Sequence, residues 1–223
     1  MYLYKKNKDG QTPLFNACKS GDENIVNYLV KHGMDINKEG IYDETPLFIA
    51  CRNGNENMVK ILVKYGANIN KENEYSEIPL FSACKRGNET VVNFLVELGA
   101  DVNKEKKKYG ETPFFNACES GNETMVSFLV EHGTNVNKEN KYGETPLFRA
   151  CESGNEIMVS FLVEHGADVD KETVFGETVL FCACKMKNET MVKILIEHGA
   201  NINKKNIFGK TLLLYASERG INL

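Results

Sequence analysis

Seven cysteines and four histidines are the residues of this 223-residue chain best suited to metal binding or nucleophilic chemistry. Their spacing argues against both. Cys18, Cys51, Cys84, Cys118, Cys151 and Cys184 fall at one recurring place, at steps of 33 or 34 residues. Stacked helices stand ~8–10 Å apart, whereas a disulfide needs its Cα atoms within about 7 Å. The ladder therefore reads as small buried thiols in a reducing compartment, with Cys182 as the exception on a variable position. His32, His132, His165 and His198 each stand before a Gly, at least one repeat apart. Ligands so separated cannot meet around an ion whose Zn–N bonds are ~2 Å. Three Asn-Glu-Thr sequons, opening at Asn88, Asn122 and Asn188, read better as helix caps than as glycosylation sites. There is no nucleophile–base pair, phosphate-binding glycine loop or metal cluster. The chain thus offers no catalytic, cofactor or metal site, and the expectation is a protein that is not an enzyme.

The elements that carry these residues repeat. Thr12, Thr45, Thr112, Thr145, Thr178 and Thr211 each open a copy, and Ile78 replaces the missing Thr. The register slips by one residue in the Lys104–Lys108 run. A fixed period of about 20–50 residues marks a tandem array. In each copy the Thr suits an N-cap and the following Pro the first helical position. All five prolines, Pro13, Pro46, Pro79, Pro113 and Pro146, stand there. An apolar face follows (Phe114, Phe115, Ala117, Cys118 in the fourth copy), and a Gly such as Gly121 stops the helix. A second helix, capped by Asn122, carries Met125, Val126, Phe128, Leu129 and Val130, a surface broad enough to be buried on more than one side. A polar tip and a Tyr-Gly turn then lead to the next Thr. Ile78 predicts the least well capped unit, so Ile78→Thr is expected to add about 1 kcal/mol of stability.

Helix, tight turn, helix and outward hairpin resemble the ankyrin repeat. The motifs that carry the resemblance are Thr45-Pro46-Leu47, Thr145-Pro146-Leu147 and the close from Gly99 to Asn103, and they span almost the whole chain. The resemblance implies an all-α repeat solenoid of helix-turn-helix units joined by outward β-hairpin loops. It implies a single domain over 1–223, with repeats near 8–40, 41–73, 74–107, 108–140, 141–173 and 174–206 and a partial one at 207–223. Tyr2, Leu3 and Tyr4 would end a preceding hairpin. Neither end carries a polar cap of the kind solenoids use, so a longer parent array, a partner at the ends or end-to-end self-association is expected. One departure is systematic. The family places His after Thr-Pro-Leu to tie neighbouring loops, and here Phe15, Phe48, Phe81, Phe115, Phe148 and Phe181 stand instead. Apolar packing is expected to replace the polar tie. The family also has hairpin asparagines open to hydroxylation, matching Asn37, Asn70, Asn103, Asn137 and Asn203.

In such an architecture the hairpin tips and the exposed side of the first helices share one concave surface. The tip residue is aromatic in six copies: Tyr42, Tyr75, Tyr109, Tyr142, Phe175 and Phe208. Half-exposed rings in a row suit binding hot spots, or they pack on one another and stiffen the loops. Late in the first helices stand Arg52, Lys85 and Arg86, then Glu119 and Glu152, then Lys185 and Met186. Two electrostatic sub-sites follow: an acidic partner segment against Arg52, Lys85 and Arg86, and a basic one against Glu119 and Glu152.

A formal net charge of −4, with both signs interspersed, argues against nucleic acid as partner. No apolar run approaches the ~20 residues that span a bilayer, and Met1 to Lys8 lacks a signal peptide's apolar stretch. The expectation is a cytoplasmic or nuclear scaffold or adaptor with a protein partner on the concave surface. The alternative is an inhibitor of an enzyme, or a substrate-recruiting arm of a larger signalling or degradation protein.

Overall fold

The computed structural model describes Asn7 and residues 11–218. The expected role of Tyr2, Leu3 and Tyr4 lies outside those residues. The chain forms two compact units, Met1–Lys108 and Tyr109–Leu223. The division falls where the repeat register slips, at the end of the Lys104–Lys108 run.

The first unit holds α1 (Pro13–Ser20), α2 (Glu23–Lys31), α3 (Pro46–Asn53), α4 (Glu56–Lys64), α5 (Pro79–Arg86) and α6 (Glu89–Glu97). The second holds α7 (Pro113–Ser120), α8 (Glu123–Glu131), α9 (Pro146–Glu152), α10 (Glu156–Glu164), α11 (Val179–Lys185), α12 (Glu189–Glu197) and α13 (Leu212–Glu218). Within the first unit α1, α3 and α5 stack in a row with α2, α4 and α6 beside them; within the second α7, α9, α11 and α13 stack likewise. Tandem helix pairs of this kind are the expected all-α repeat architecture.

The first helices form the centre of each unit. In α7, Pro113, Phe114, Phe115, Asn116, Ala117 and Cys118 are all buried. The Phe residues that depart from the family pattern are part of this core, with Phe48 at 0% and Phe115 at 1% exposure. Each such ring contributes roughly 1.5–3 kcal/mol of burial. The second helices bury a single stripe, not more than one side: Met125, Val126 and Leu129 in α8 are buried, while Phe128 and Val130 are half-exposed. A helix with one neighbouring row has no second surface to bury.

Caps divide cleanly. Asp22, Asn55, Asn88, Asn122, Asn155 and Asn188 each accept the N–H three residues on, at 2.9–3.1 Å. The threonines behave differently. Thr12 and Thr211 accept from Phe15 and Leu214 N–H. Thr45, Thr112, Thr145 and Thr178 make no side-chain cap. Their backbone carbonyls take the third N–H instead, as Thr45 does from Phe48 at 3.0 Å. The hydroxyls of Thr45, Thr112 and Thr145 are buried without a hydrogen-bond partner. Thr12 makes its cap with the same Phe at the third position, so the loss of the cap in the inner copies has no explanation in the residue type alone.

The expected β-hairpins are tight loops. Among the described residues there is no strand, only the isolated antiparallel Lys205–Thr211 bridge. Asn73 shows why. Its Oδ1 accepts the N–H groups of Tyr75 and Glu77 at 3.0 and 2.9 Å, which curls the backbone that a ladder would need extended. Asn140 and Asn206 do the same. Consecutive loops are still hooked together, Glu74 N–H to the Tyr42 carbonyl at 3.0 Å and Val174 N–H to that of Tyr142 at 2.8 Å. Where the tip Gly or the helix-stopping Gly is missing, Asp43, Ser76 and Lys187 still take φ of 57–59°.

All seven cysteines are free, and only Cys182 is not fully buried. Burial pushes the Cys18 thiol up to about 12, and raises Cys51 and Cys84 further.

Three outcomes are expected. Ile78 is 1% exposed and the threonines of the copies on either side, Thr45 and Thr112, make no hydroxyl cap, so Ile78→Thr should cost about 1–3 kcal/mol in urea unfolding, the reverse of the expectation from capping alone. Lys187→Gly should raise the unfolding midpoint by the equivalent of about 1 kcal/mol, because glycine takes positive φ without a Cβ clash. Under native conditions a thiol alkylating reagent should modify Cys182 first, and the other six only after denaturant is added; mass spectrometry of tryptic peptides reads this directly.

Candidate functional site

The loop tips are placed by the backbone hooks between neighbouring loops, and the helix ends by the buried faces beneath them. Tyr42 and Tyr75 pack with ring centroids 5.9 Å apart, and Tyr109 and Tyr142 at 6.2 Å, both tilted. The rings nevertheless stay open to solvent: Tyr42 is 54%, Tyr142 46% and Phe175 51% exposed. The packing reading holds in each unit, and the exposure leaves the rings accessible. The rings brace one another and still present a face.

The helix-end residues Arg52, Lys85, Arg86, Glu119, Glu152, Lys185 and Met186 are all exposed. Two are not unopposed. Arg52 is bonded to Glu44 of its own loop. Glu152 accepts from Arg149 at 2.6 Å. Lys85 and Arg86 lie side by side at the end of α5.

Arg149 is more than a surface change. It is half-buried, and its guanidinium also reaches Glu111 at 2.6 Å and Glu144 at 3.3 Å. Burial works against its charge, but the carboxylates of Glu111, Glu152 and Glu144 outweigh that and hold it firmly protonated. Sequence reasoning missed this network because Glu111 lies 38 residues away. The signal was present in the Glu that precedes the opening residue of each of the five inner copies: Glu44, Glu77, Glu111, Glu144 and Glu177 share one register.

Behind the tips, asparagines tie loop to loop. Asn37 donates to the Gly66 carbonyl at 3.1 Å and accepts from Asn68 N–H at 2.7 Å. Asn70 and Asn137 repeat this with Gly99 and Asp101, and with Gly166 and Asp168. Lys71–Glu39, Lys104–Glu72, Lys171–Glu139 and Lys204–Glu172 add ion pairs between loops, exposed enough to add little stability. His32, His132 and His165 donate through Nδ1–H to carbonyls one turn back at 2.7 Å, and stack on Tyr28, Phe128 and Phe161. Among the described residues no three His, Cys, Asp or Glu gather as ligands for a metal ion.

One groove of about 410 Å³ opens on the tip face of the second unit. Tyr142, Phe148 and Phe175 line it from the loops and α9, Cys182, Lys185 and Met186 from α11 and its end, and Glu144, Glu152 and Glu177 add carboxylates. It joins Tyr142, Phe175, Glu152 and Met186, four residues that the sequence had placed on the recognition surface.

Comparison with known proteins agrees with this architecture. A family model described as ankyrin repeats (3 copies) matches residues 2–73, 37–106, 80–173 and 167–222. Among solved structures, the human ASB11 ankyrin repeat domain is similar at 29% identity and a TM-score of 0.84, with 92% of each chain covered. The ankyrin repeat domain of Bcl-3, a unique member of the IkappaB protein family, is similar at 26% identity and a TM-score of 0.79, covering 96% of this chain and 97% of that one. No curated protein matches the sequence. The repeated helix pairs and the match along nearly the whole length make this chain a member of the ankyrin-repeat family.

Proposed function

We propose that this protein is a non-enzymatic interaction scaffold or adaptor that holds a partner protein against the loop tips and exposed first-helix ends. The observation that carries the reading is the exposure of the tip rings in each unit. Tyr42, Tyr75, Tyr142 and Phe175 stay about half-exposed. Rigid aromatic side chains in that state bind with little loss of conformational freedom. The solved domains to which the chain is similar are of the same repeat type, a family of protein-binding scaffolds.

Charge would select the partner. In the first unit Lys85 and Arg86 face outward to an acidic segment, with Arg52 already engaged by Glu44. In the second, Glu119 and Glu152 favour a basic one, with Arg149 offsetting part of that charge. Rim charges of this kind steer association more than they hold it. Six buried free thiols suit a reducing compartment, the cytoplasm or nucleus.

Affinity capture from a lysate of the source organism tests the surface. Changing Tyr42, Tyr75, Tyr142 and Phe175 together to Ser should abolish capture of the proteins held by the wild type. Changing Ile25 and Tyr28, exposed on the far side of α2, should not. The opposite pattern would place binding on the second helices.

A further inference from the structure

Resting on that reading, we infer that the groove of the second unit is a pocket for a single lysine or arginine side chain, carried on a basic segment of the partner protein. Glu44 is held by Arg52. Glu77 is held by Lys106 at 3.1 Å and Asn73 at 3.3 Å. Glu111 is held by Arg149 at 2.6 Å. Glu144 takes Arg149 at 3.3 Å and Asn140 at 2.8 Å. Glu177 stands in the same register, half-buried, and among the described residues its carboxylate has no donor and no cation.

The sixth repeat has lost both of the groups that would serve it. Thr173 replaces the asparagine found at 140, so the amide that would donate to Glu177 is gone; its hydroxyl accepts from Phe175 and Glu177 N–H instead. Cys182 replaces the arginine found at 149. Lys185, in the register of Arg52, makes no ion pair with Glu177. These two departures fall around one carboxylate, and that carboxylate lines the groove.

The walls fit a cation. Tyr142 and Phe175 are about half-exposed, and aromatic faces attract an ammonium or guanidinium within about 6 Å of the ring centre. Three glutamates against one lysine leave the lining net negative. An incoming guanidinium would take the place that Arg149 fills for Glu111 and Glu144. A charge-assisted bond in a partly enclosed groove is stronger than one on open surface. An acidic or purely apolar side chain would leave Glu177 desolvated and unpaired, which the site penalises.

Fluorescence anisotropy with the full chain tests this. The probe is a dye-labelled peptide of alternating Arg and Gly, with a second peptide in which neutral citrulline replaces Arg. The wild type should bind the Arg peptide and not the citrulline one. Glu177→Gln should weaken binding about tenfold or more, and Cys182→Arg, which supplies an internal guanidinium, should weaken it similarly. Glu164→Gln, an equal charge change at the exposed end of α10, should stay within about twofold, since exposed charges act weakly at a distance. Failure of the wild type to bind, equal loss in both glutamate variants, or equal affinity for both peptides would overturn the assignment. None of these would disturb the capture result above, which reads the whole row of tips.

Discussion

A pair of helices only eight and nine residues long has no interior of its own. Helices of that length are marginal in water, and a first helix such as α7, buried over six of its eight residues, needs a neighbour on each side. Within each unit that need is met by stacking equivalent helices, so Phe, Leu, Ala and Cys recur where they are enclosed. The cysteine ladder, the phenylalanines and the left-handed glycines all follow from it. The loops inherit their spacing from the helices below, and the Asn37, Asn70 and Asn137 bridges hold that spacing without adding an apolar core.

Because packing fixes the inward face, difference between repeats collects at the tips and the first-helix ends. Most of that difference is balanced internally. Arg149 alone answers three glutamates, and Arg52 answers a fourth. What the repeats leave unbalanced is the surface proposed for recognition: the outer faces of the aromatic rings, the Lys85–Arg86 pair and the carboxylate of Glu177.

Much of this was legible in the sequence. The Asn caps, the helix starts at proline and the glycine stops depend on residues within one turn, and local chemistry decides them. The threonine caps hold at Thr12 and Thr211 but not in the inner copies, where the Thr carbonyl takes the N–H in place of the hydroxyl, a choice that the residue types alone do not show. The outward loops were legible from their turn residues; their curl was not, because it depends on Asn73 and its equivalents taking up the N–H groups. Arg149 was invisible as a network because one of its partners, Glu111, comes from the preceding repeat. The isolation of Glu177 could have been found: Thr173 and Cys182 both break the pattern of the preceding copy, and aligning repeats by charge partner rather than by core residue exposes it.

The central claim is that binding occurs on the tip and first-helix face, with the stacked helices as a fixed support. Amide hydrogen–deuterium exchange, with and without a captured partner, tests it most directly. Added protection should appear in the loops carrying Tyr42, Tyr75, Tyr142 and Phe175 and at the ends of the first helices, while α2, α4, α8 and α10 exchange as before. Protection confined to those second helices, with unchanged loops, would contradict it.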